Sequence, residues 1–258
     1  MSGISTYAIL QYNGHDLAGW QLQPSVRTGQ GELESVLKRL VGERVVTRAA
    51  GRTDAGVHAL AQAVSFEVPE RWDPVELLRA LRALLPRDIW VAKVQRAPEG
   101  FDARRHATSR RYRYVVGCDA ASRSPFRRPY EWALGKPLNP ELLAQASAPL
   151  LGEHDFRGFS AAGQEKEHYR CTVTTAEWRE RGGGEGFIFE VEANRFLHHM
   201  VRFLVGIMVD AARGRRPVQD VSRILLENNN KNASPPAPPE GLYFLGARYP
   251  QFDEVCDL

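Results

Sequence analysis

The chain has 258 residues, of which 43% are hydrophobic and 25% charged, a balance that predicts a folded globular protein and excludes a disordered one. Its net charge of +3 is mild. The longest uninterrupted apolar run, residues 203–209, is far too short to cross a bilayer, and the N-terminus lacks the basic and apolar regions of a secretory signal. We therefore expect a cytoplasmic protein with no membrane segment.

Cysteine and histidine spacing indicates neither a disulfide framework nor a metal centre. Cys118, Cys171 and Cys256 are odd in number and form no C-x-x-C pair. His198 and His199 are adjacent, and residues 153–155 (Glu-His-Asp) are consecutive, a spacing that splays side chains apart. We expect reduced thiols and no metal.

Hydrophobic periodicity predicts alternating strands and helices in the first half of the chain. The predicted elements are a strand at 7–12, a helix at about 28–42, a half-buried strand at 64–68, a helix at 73–86 and a strand at 89–94. In the first helix we expect Glu34 to pair with Lys38. The second helix, with Asp73 as N-cap, is expected to bury Val75, Leu78, Leu81 and Leu85.

The second half follows a similar order. We predict strands at 111–116, 171–178, 187–193 and 243–249, helices from residue 139 and over 196–214, and a proline-rich loop at 228–239. Glycines 182–184 indicate a hairpin turn between two of the strands. The repeated order predicts two related α+β halves, residues 1–106 and 107–258, although no residue-level repeat supports a duplication.

One loop, residues 49–59, carries an arginine and a carboxylate between two glycines. Gly51 and Gly56 suggest a positive φ or a close backbone approach around Arg52 and Asp54. Loops between strands often hold site residues. The alternative is an ordinary turn, in which Asp54 bonds its own backbone and Arg52 is solvated.

Basic residues cluster between positions 101 and 130. The segment contains eight arginines but only two acidic residues, and three aromatic residues lie among them. The arginines are Arg104, Arg105, Arg110, Arg111, Arg113, Arg123, Arg127 and Arg128; the acidic residues are Asp102 and Asp119; the aromatic ones are Tyr112, Tyr114 and Phe126. Arginines bind phosphates and aromatic rings stack on bases, so the segment favours RNA binding. Part of the bias can also be compositional, since 29 of the 34 basic residues are arginine.

Two side chains in predicted elements suggest contacts with a nucleic acid or a catalytic group. Alternation places Tyr112 and Tyr114 on one strand face, where Tyr112 can stack on a base; the alternative, favoured for Tyr114, is a core position. Arg202 lies in an apolar helix, where a buried guanidinium needs a carboxylate or phosphate unless it reaches solvent. We interpret His198, one turn earlier, as an interior histidine with satisfied hydrogen bonds.

The remaining chemistry is that of a single carboxylate. A retaining glycosidase needs two carboxylates close together, and the sequence offers no second partner for Asp54. Asp54 would then act as nucleophile or base on a nucleoside extruded from an RNA stack. Two other interpretations are a non-catalytic RNA-binding or RNA-folding protein and an RNA N-glycosidase.

Six ordered motifs resemble the tRNA pseudouridine synthase A family. They span almost the whole chain and lie at residues 12–14 with 19–21, 51–59, 110–114, 154–156, 196–202 and 238–243. The resemblance implies an α+β pseudouridine synthase fold, with a mixed, largely antiparallel sheet flanked by helices in two pseudo-symmetric halves around a central cleft. It also implies isomerisation of uridine to pseudouridine at tRNA positions 38 to 40 in the anticodon stem-loop, without cofactor or metal, by a homodimer.

The same resemblance assigns roles to individual positions. Asp54 matches the catalytic aspartate, Arg52 the arginine that helps to flip the nucleotide, Tyr112 the tyrosine that stacks on uracil, Arg202 the basic partner of the aspartate and Leu242 the apolar residue that lines the pocket. Three further residues within the motifs or the basic segment are expected to contact the substrate: Arg110, Arg111 and His58.

Overall fold

The computed structural model describes residues 3–161, 168–227, 229, 231 and 233–252. The elements in chain order are β1 (Gly3–Tyr12), α1 (Gly29–Val41), β2 (Arg48–Ala49), β3 (His58–Pro69), α2 (Pro74–Leu84), β4 (Ile89–Arg96), β5 (Ser109–Gly117), β6 (Trp132–Ala133), α3 (Pro140–Ser147), β7 (Gly152–Asp155), β8 (Arg170–Arg181), β9 (Gly186–Ala193), α4 (Met200–Ala212), α5 (Asp220–Glu227) and β10 (Leu242–Arg248). The chain forms two compact units, Met1–Arg110 with Tyr243–Leu258, and Arg111–Leu242. The predicted α+β class is confirmed.

In the first unit the strands follow the order β4-β1-β3-β10, with β2 also on β3. β1 runs antiparallel to β3 and β4, whereas β10 runs parallel to β3 and pairs Tyr243 with His58. The start of β3 therefore lies between two neighbours, β1 and β10. The sheet is mixed and largely antiparallel, as predicted.

Helix α1 begins and ends where its sequence signals predict, but one expected ion pair is wrong. The Thr28 side chain accepts from Gly31 N, and Gly42 ends the helix with a φ of 91°. Glu34 does not pair with Lys38. Its buried carboxylate accepts from Thr47 N at 2.9 Å, from Thr47 Oγ1 at 3.0 Å and from Gln30 Nε2 at 2.9 Å. The Glu34 carboxylate thus accepts hydrogen bonds from the loop after the helix instead of forming a surface ion pair with Lys38.

Helix α2 has the predicted N-cap but buries a different face. Asp73 accepts from Val75 N at 2.8 Å. Leu77 and Leu81 are buried, whereas Val75 is 54% exposed. The expected stripe and the observed one share Leu81 and Leu85, so periodicity alone could not separate them.

Arg27 and Asp88 form a two-pronged ion pair that we expect to make stability depend on pH. The Arg27 Nη1 and Nη2 atoms donate to the two Asp88 oxygens at 2.6 and 2.8 Å, and this hydrogen bonding lowers the pKa of Asp88. A carboxyl whose pKa is lower in the folded state stabilises the protein above its unfolded pKa and loses that contribution as the pH falls.

Asp88→Asn should therefore lower the free energy of unfolding by about 0.5 to 1 kcal/mol at pH 7, a modest cost because both groups are partly exposed. The difference from wild type should shrink below about pH 4. Urea unfolding at several pH values measures it. A cost that stays constant down to pH 3 would contradict the assignment.

In the second unit the strands follow the order β5-β9-β8-β7, and the short β6 runs parallel to β5. β8 and β9 form the predicted hairpin, closed by Gly182–Gly184. Glu190 on β9 accepts from Arg113 at 2.7 Å and from Arg179 at 2.8 Å. Helix α5 was not predicted from the sequence.

Helix α4 starts later than the apolar run predicted. His199 has a left-handed backbone with φ 60°, and the helix begins at Met200. His198 therefore precedes the helix, and it is exposed. Both parts of the His198 interpretation, its helical position and its interior location, are wrong.

No helix among the described residues is long and apolar enough to cross a membrane. Cys118 and Cys171 form no disulfide, and Cys256 lies outside the described residues. Residues 228, 230 and 232 of the predicted proline-rich loop also lie outside them.

Candidate active site

The predicted site loop, residues 50–57, connects β2 to β3. Ala50 N donates to Ala63 O at 2.9 Å, and the loop ends where His58 enters the sheet. The Arg52 side chain is exposed, and Asp54 is half-buried. Of the two glycines expected to need a positive φ or a close approach, Gly56 has a positive φ of 79° and Gly51 does not have a positive φ.

A second segment, residues 13–20 after β1, supports this loop through its backbone. Trp20 N donates to Thr53 O at 3.0 Å, and Gly56 N donates to Leu17 O at 3.2 Å. Within the loop, Val57 N donates to Asp54 O at 3.2 Å, which closes a turn around Asp54. The Asp54 backbone is therefore set by neighbours on both sides.

Gly14 is the closest point between the two segments. A Cβ built there would lie 2.0 Å from Val57 O, a distance that no side chain can take without moving the backbone. We expect Gly14→Ala to lower the free energy of unfolding by about 3 kcal/mol, because backbone cannot yield as a flexible side chain would.

Thermal unfolding checks this expectation against Gly182→Ala. Gly182 has open space around its Cβ position, so that substitution should be nearly neutral. If the Gly14 variant were as stable as the Gly182 variant, the close approach of Gly14 to Val57 O would not contribute to stability.

His58 is an internal residue at the end of the loop. Its side chain is 2% exposed, its Nδ1 accepts from Gly14 N at 3.1 Å, and its ring stacks on Tyr243 at 4.8 Å. With Nδ1 accepting, a neutral ring carries its proton on Nε2. The contact of His58 with substrate stays a prediction.

Arg110 makes hydrogen bonds to three backbone carbonyls of the first unit. It donates to Ala50 O at 3.2 Å, to Ala107 O at 2.9 Å and to Arg104 O at 2.6 Å. The guanidinium thus ties the start of the loop to the chain between β4 and β5. This arrangement gives Arg110 a positioning role, and its contact with substrate stays a prediction.

In the second unit, β5 presents two buried tyrosines. Tyr112 is 7% exposed and lies edge-to-face against Phe196 at 4.9 Å. Tyr114 is fully buried, and its hydroxyl donates to Pro238 O at 2.7 Å. Burial raises the pKa of Tyr114 well above its usual value. The favoured interpretation of Tyr114 as a core residue is confirmed.

Arg202 on α4 is half-buried and is bound twice to one residue of the proline-rich segment. Its Nε donates to Ala237 O at 2.7 Å, and its backbone oxygen accepts from Ala237 N at 2.9 Å. Gly206, one turn later, allows Pro235 to approach, since a Cβ there would lie 2.3 Å from Pro235 O. The expected carboxylate or phosphate partner stays a prediction.

Leu242 follows directly from this segment. It is 5% exposed and begins β10. The preceding Gly241 lies against the Tyr114 ring, where a Cβ would be 2.7 Å from Cε1. Tyr114 therefore fixes the backbone on which Leu242 is carried.

The arginine cluster divides into partly buried and exposed members. Arg113 pairs with Glu190, and Arg127 donates to Asp119 at 2.8 Å and to Glu131 at 2.7 Å, with the Arg127 hydrogen bond lowering the pKa of Asp119. Arg111 is half-buried. The exposed arginines are Arg104 and Arg105 in the first unit and Arg123 and Arg128 in the second, where Phe126 is 87% exposed.

Comparison with known proteins identifies the family. The sequence model of the tRNA pseudouridine synthase family matches residues 8–104 and 146–250. The chain belongs to this family. A tRNA pseudouridine synthase A from Myxococcus xanthus is 42% identical over 233 residues, covering 90% of this chain and 87% of that protein. One from Streptococcus gordonii is 38% identical, covering 94% and 97%. One from Moorella thermoacetica is 41% identical, covering 93% and 97%.

The family match includes some of the predicted site residues and leaves out others. Arg52, Asp54, His58, Arg202 and Leu242 lie within the matched segments. The three predicted residues that lie between the segments are Arg110, Arg111 and Tyr112. The sequence-based site also lacks the buried groups beneath the loop, Tyr12 and Gln62, although Tyr12 stood at the edge of one motif.

Proposed function

We propose that this chain isomerises uridine to pseudouridine at positions 38 to 40 of the tRNA anticodon stem-loop. The observation that carries the proposal is the half-buried Asp54 on a tightly held loop inside a segment that matches the tRNA pseudouridine synthase family. The name of these relatives, tRNA pseudouridine synthase A, supports tRNA as the substrate.

The reaction keeps all atoms of the nucleoside and exchanges one proton. The bond between N1 of uracil and the sugar breaks, the uracil rotates, and C5 bonds to the sugar. C5 then loses its proton to water, and N1 gains one. We propose that Asp54 starts this sequence by attacking the base or the sugar, or by removing a sugar proton.

Other residues would prepare the nucleotide and the carboxylate. A base must leave its stack before such chemistry, and Arg52, whose side chain is exposed, is proposed to help to flip it. Tyr112 would stack on the uracil and Leu242 would line its pocket. Arg202 is proposed as the cationic partner of Asp54. We further propose that a homodimer binds the tRNA.

RNA binding would draw on the exposed arginines. Phosphate contacts give a strong and salt-dependent affinity, and an exposed aromatic ring adds stacking on an unpaired base. Arg104, Arg105, Arg123 and Arg128 have side chains exposed to solvent, as does Phe126. Arg113 and Arg127, which are partly buried and paired with carboxylates of this chain, would contribute less.

Tritium release tests the proposed function. tRNA labelled at C5 of uridine should lose tritium to water in the presence of the wild type, since C5 gives up its proton. Free uracil would instead indicate an N-glycosidase, and binding without release would indicate a non-catalytic RNA-binding protein. A matched tRNA with cytidine at positions 38 to 40 is the substrate control, and equal release from labelled uridines elsewhere in it would contradict the site assignment.

A further inference from the structure

Three buried polar side chains lie beneath the Asp54 loop. Tyr12 Oη is 2.8 Å from Thr53 Oγ1, and Gln62 Nε2 lies 2.8 Å from Gly51 O and 3.3 Å from Tyr12 Oη. The exposed fractions are 4% for Tyr12, 7% for Thr53 and 0% for Gln62. Hydrogen bonds between buried groups do not exchange with water, so they constrain geometry more firmly than surface ones.

The donor is fixed by chemistry for the two hydrogen bonds of Gln62, whereas either hydroxyl can donate between Tyr12 and Thr53. The Gln62 nitrogen can only donate, so Tyr12 Oη accepts from it. Burial raises the pKa of Tyr12 to about 12, so the phenol keeps its proton and can donate it to Thr53 Oγ1. The row links Gln62 through Tyr12 to Thr53.

Gln62 at this position carries a cost in folding stability. Its Oε1 is buried and has no hydrogen-bond partner in the part of the chain that the structure describes. An unpaired buried acceptor costs about 1 to 3 kcal/mol. The Gln62 oxygen therefore adds no stability, whereas the Gln62 nitrogen donates to both Gly51 O and Tyr12 Oη. We therefore infer that Gln62 is there to hold the loop.

Thr53 connects this row to Asp54. Its carbonyl accepts from Trp20 N at 3.0 Å and its hydroxyl is held by Tyr12, so both polar ends of the residue are fixed. Asp54 is the next residue, and its own carbonyl accepts from Val57 N. Small shifts of Thr53 would move the Asp54 carboxylate directly.

We propose that Tyr12, Gln62 and Thr53 are positioning residues, which hold the Asp54 carboxylate in its reactive place without touching the substrate. The inference depends on the proposed function for its readout. It concerns the rate of the chemical step and leaves tRNA affinity unaffected, because the three side chains are buried under the loop.

Single-turnover tritium release with saturating enzyme tests the proposal. Tyr12→Phe and Thr53→Val each remove one hydroxyl with little change in shape, and each should slow the reaction by about 10- to 100-fold, the cost of a misplaced catalytic group. Thr53→Ser keeps the hydroxyl and should restore most of the rate. The double variant should be no slower than the slower single variant, because both changes break the same bond. tRNA affinity should stay at the wild-type value in all of them.

Tyr249→Phe is the matched control. Tyr249 is also buried, and its hydroxyl donates to Ala103 O at 2.7 Å, a residue outside the loop. It should lose similar stability and keep the wild-type rate. If Tyr12→Phe fails to fold, the comparison of Thr53→Val with Thr53→Ser decides the question. Wild-type rates in both hydroxyl-free variants, or losses that multiply in the double variant, would overturn the inference. A wild type that releases no tritium would instead overturn the proposed function.

Discussion

Asp54→Asn is expected to lower tritium release from C5-labelled tRNA by about 10 000-fold or more, the loss seen when an essential nucleophile or base is removed. Asparagine has the same shape but neither the charge nor the basicity of the carboxylate. The loop should keep its place, because backbone hydrogen bonds and the Thr53 side chain hold it. The loss should therefore be one of chemistry and not of folding.

Asp16→Asn provides the control for this substitution. Asp16 is exposed in the segment that supports the loop, so the same chemical change there should leave the rate unaltered. Melting temperature and tRNA affinity should match wild type in both variants. Substantial tritium release by Asp54→Asn would remove Asp54 from the proposed catalytic role.

Arg202→Met should lower turnover by about 100- to 1000-fold, a loss comparable to removing one preorganised electrostatic contact. Methionine retains an apolar stem suited to α4, but it loses the charge proposed to orient Asp54 and the hydrogen bond to Ala237 O. Arg202→Lys separates these two contributions. Lysine keeps the charge but lacks the planar fork of donors, so its rate should lie between those of wild type and the methionine variant.

Arg215→Met is the control for the loss of an arginine from the same unit. Arg215 is 57% exposed and lies 3.5 Å from Asp210. That variant should turn over as wild type does. If Arg202→Met were folded and also nearly normal in single-turnover rate, the proposed pairing with Asp54 would be wrong.

Local signals predicted most of the regular structure. The cap at Asp73, the turn glycines 182–184 and the alternation in β5 all depend on neighbours within a few residues, and all are confirmed. The start of α4 was different. His199 adopts a left-handed conformation that its own residue type does not require, so no local signal predicts it.

The sequence indicated the reactive residues of the candidate site but not the buried side chains that hold them in place. The glycines around Asp54 indicated a special loop, but the bond from Tyr12 to Thr53 joins residues 41 positions apart, which no local pattern shows. Arg110 illustrates the same limit. An arginine that donates to three carbonyls and one that binds phosphate look alike in a sequence, because both sit in the same basic segment.

The parallel pairing of β10 with β3 sets an order for biosynthesis. The second unit is continuous in sequence and can form while the chain is still emerging from the ribosome. The first unit cannot be completed until residues 243–248 have been made, because His58 has its β10 neighbour, Tyr243, only then. A nascent chain thus carries the Asp54 loop long before the sheet that supports it is closed, and a product truncated before β10 would expose an unpaired strand edge beside that loop.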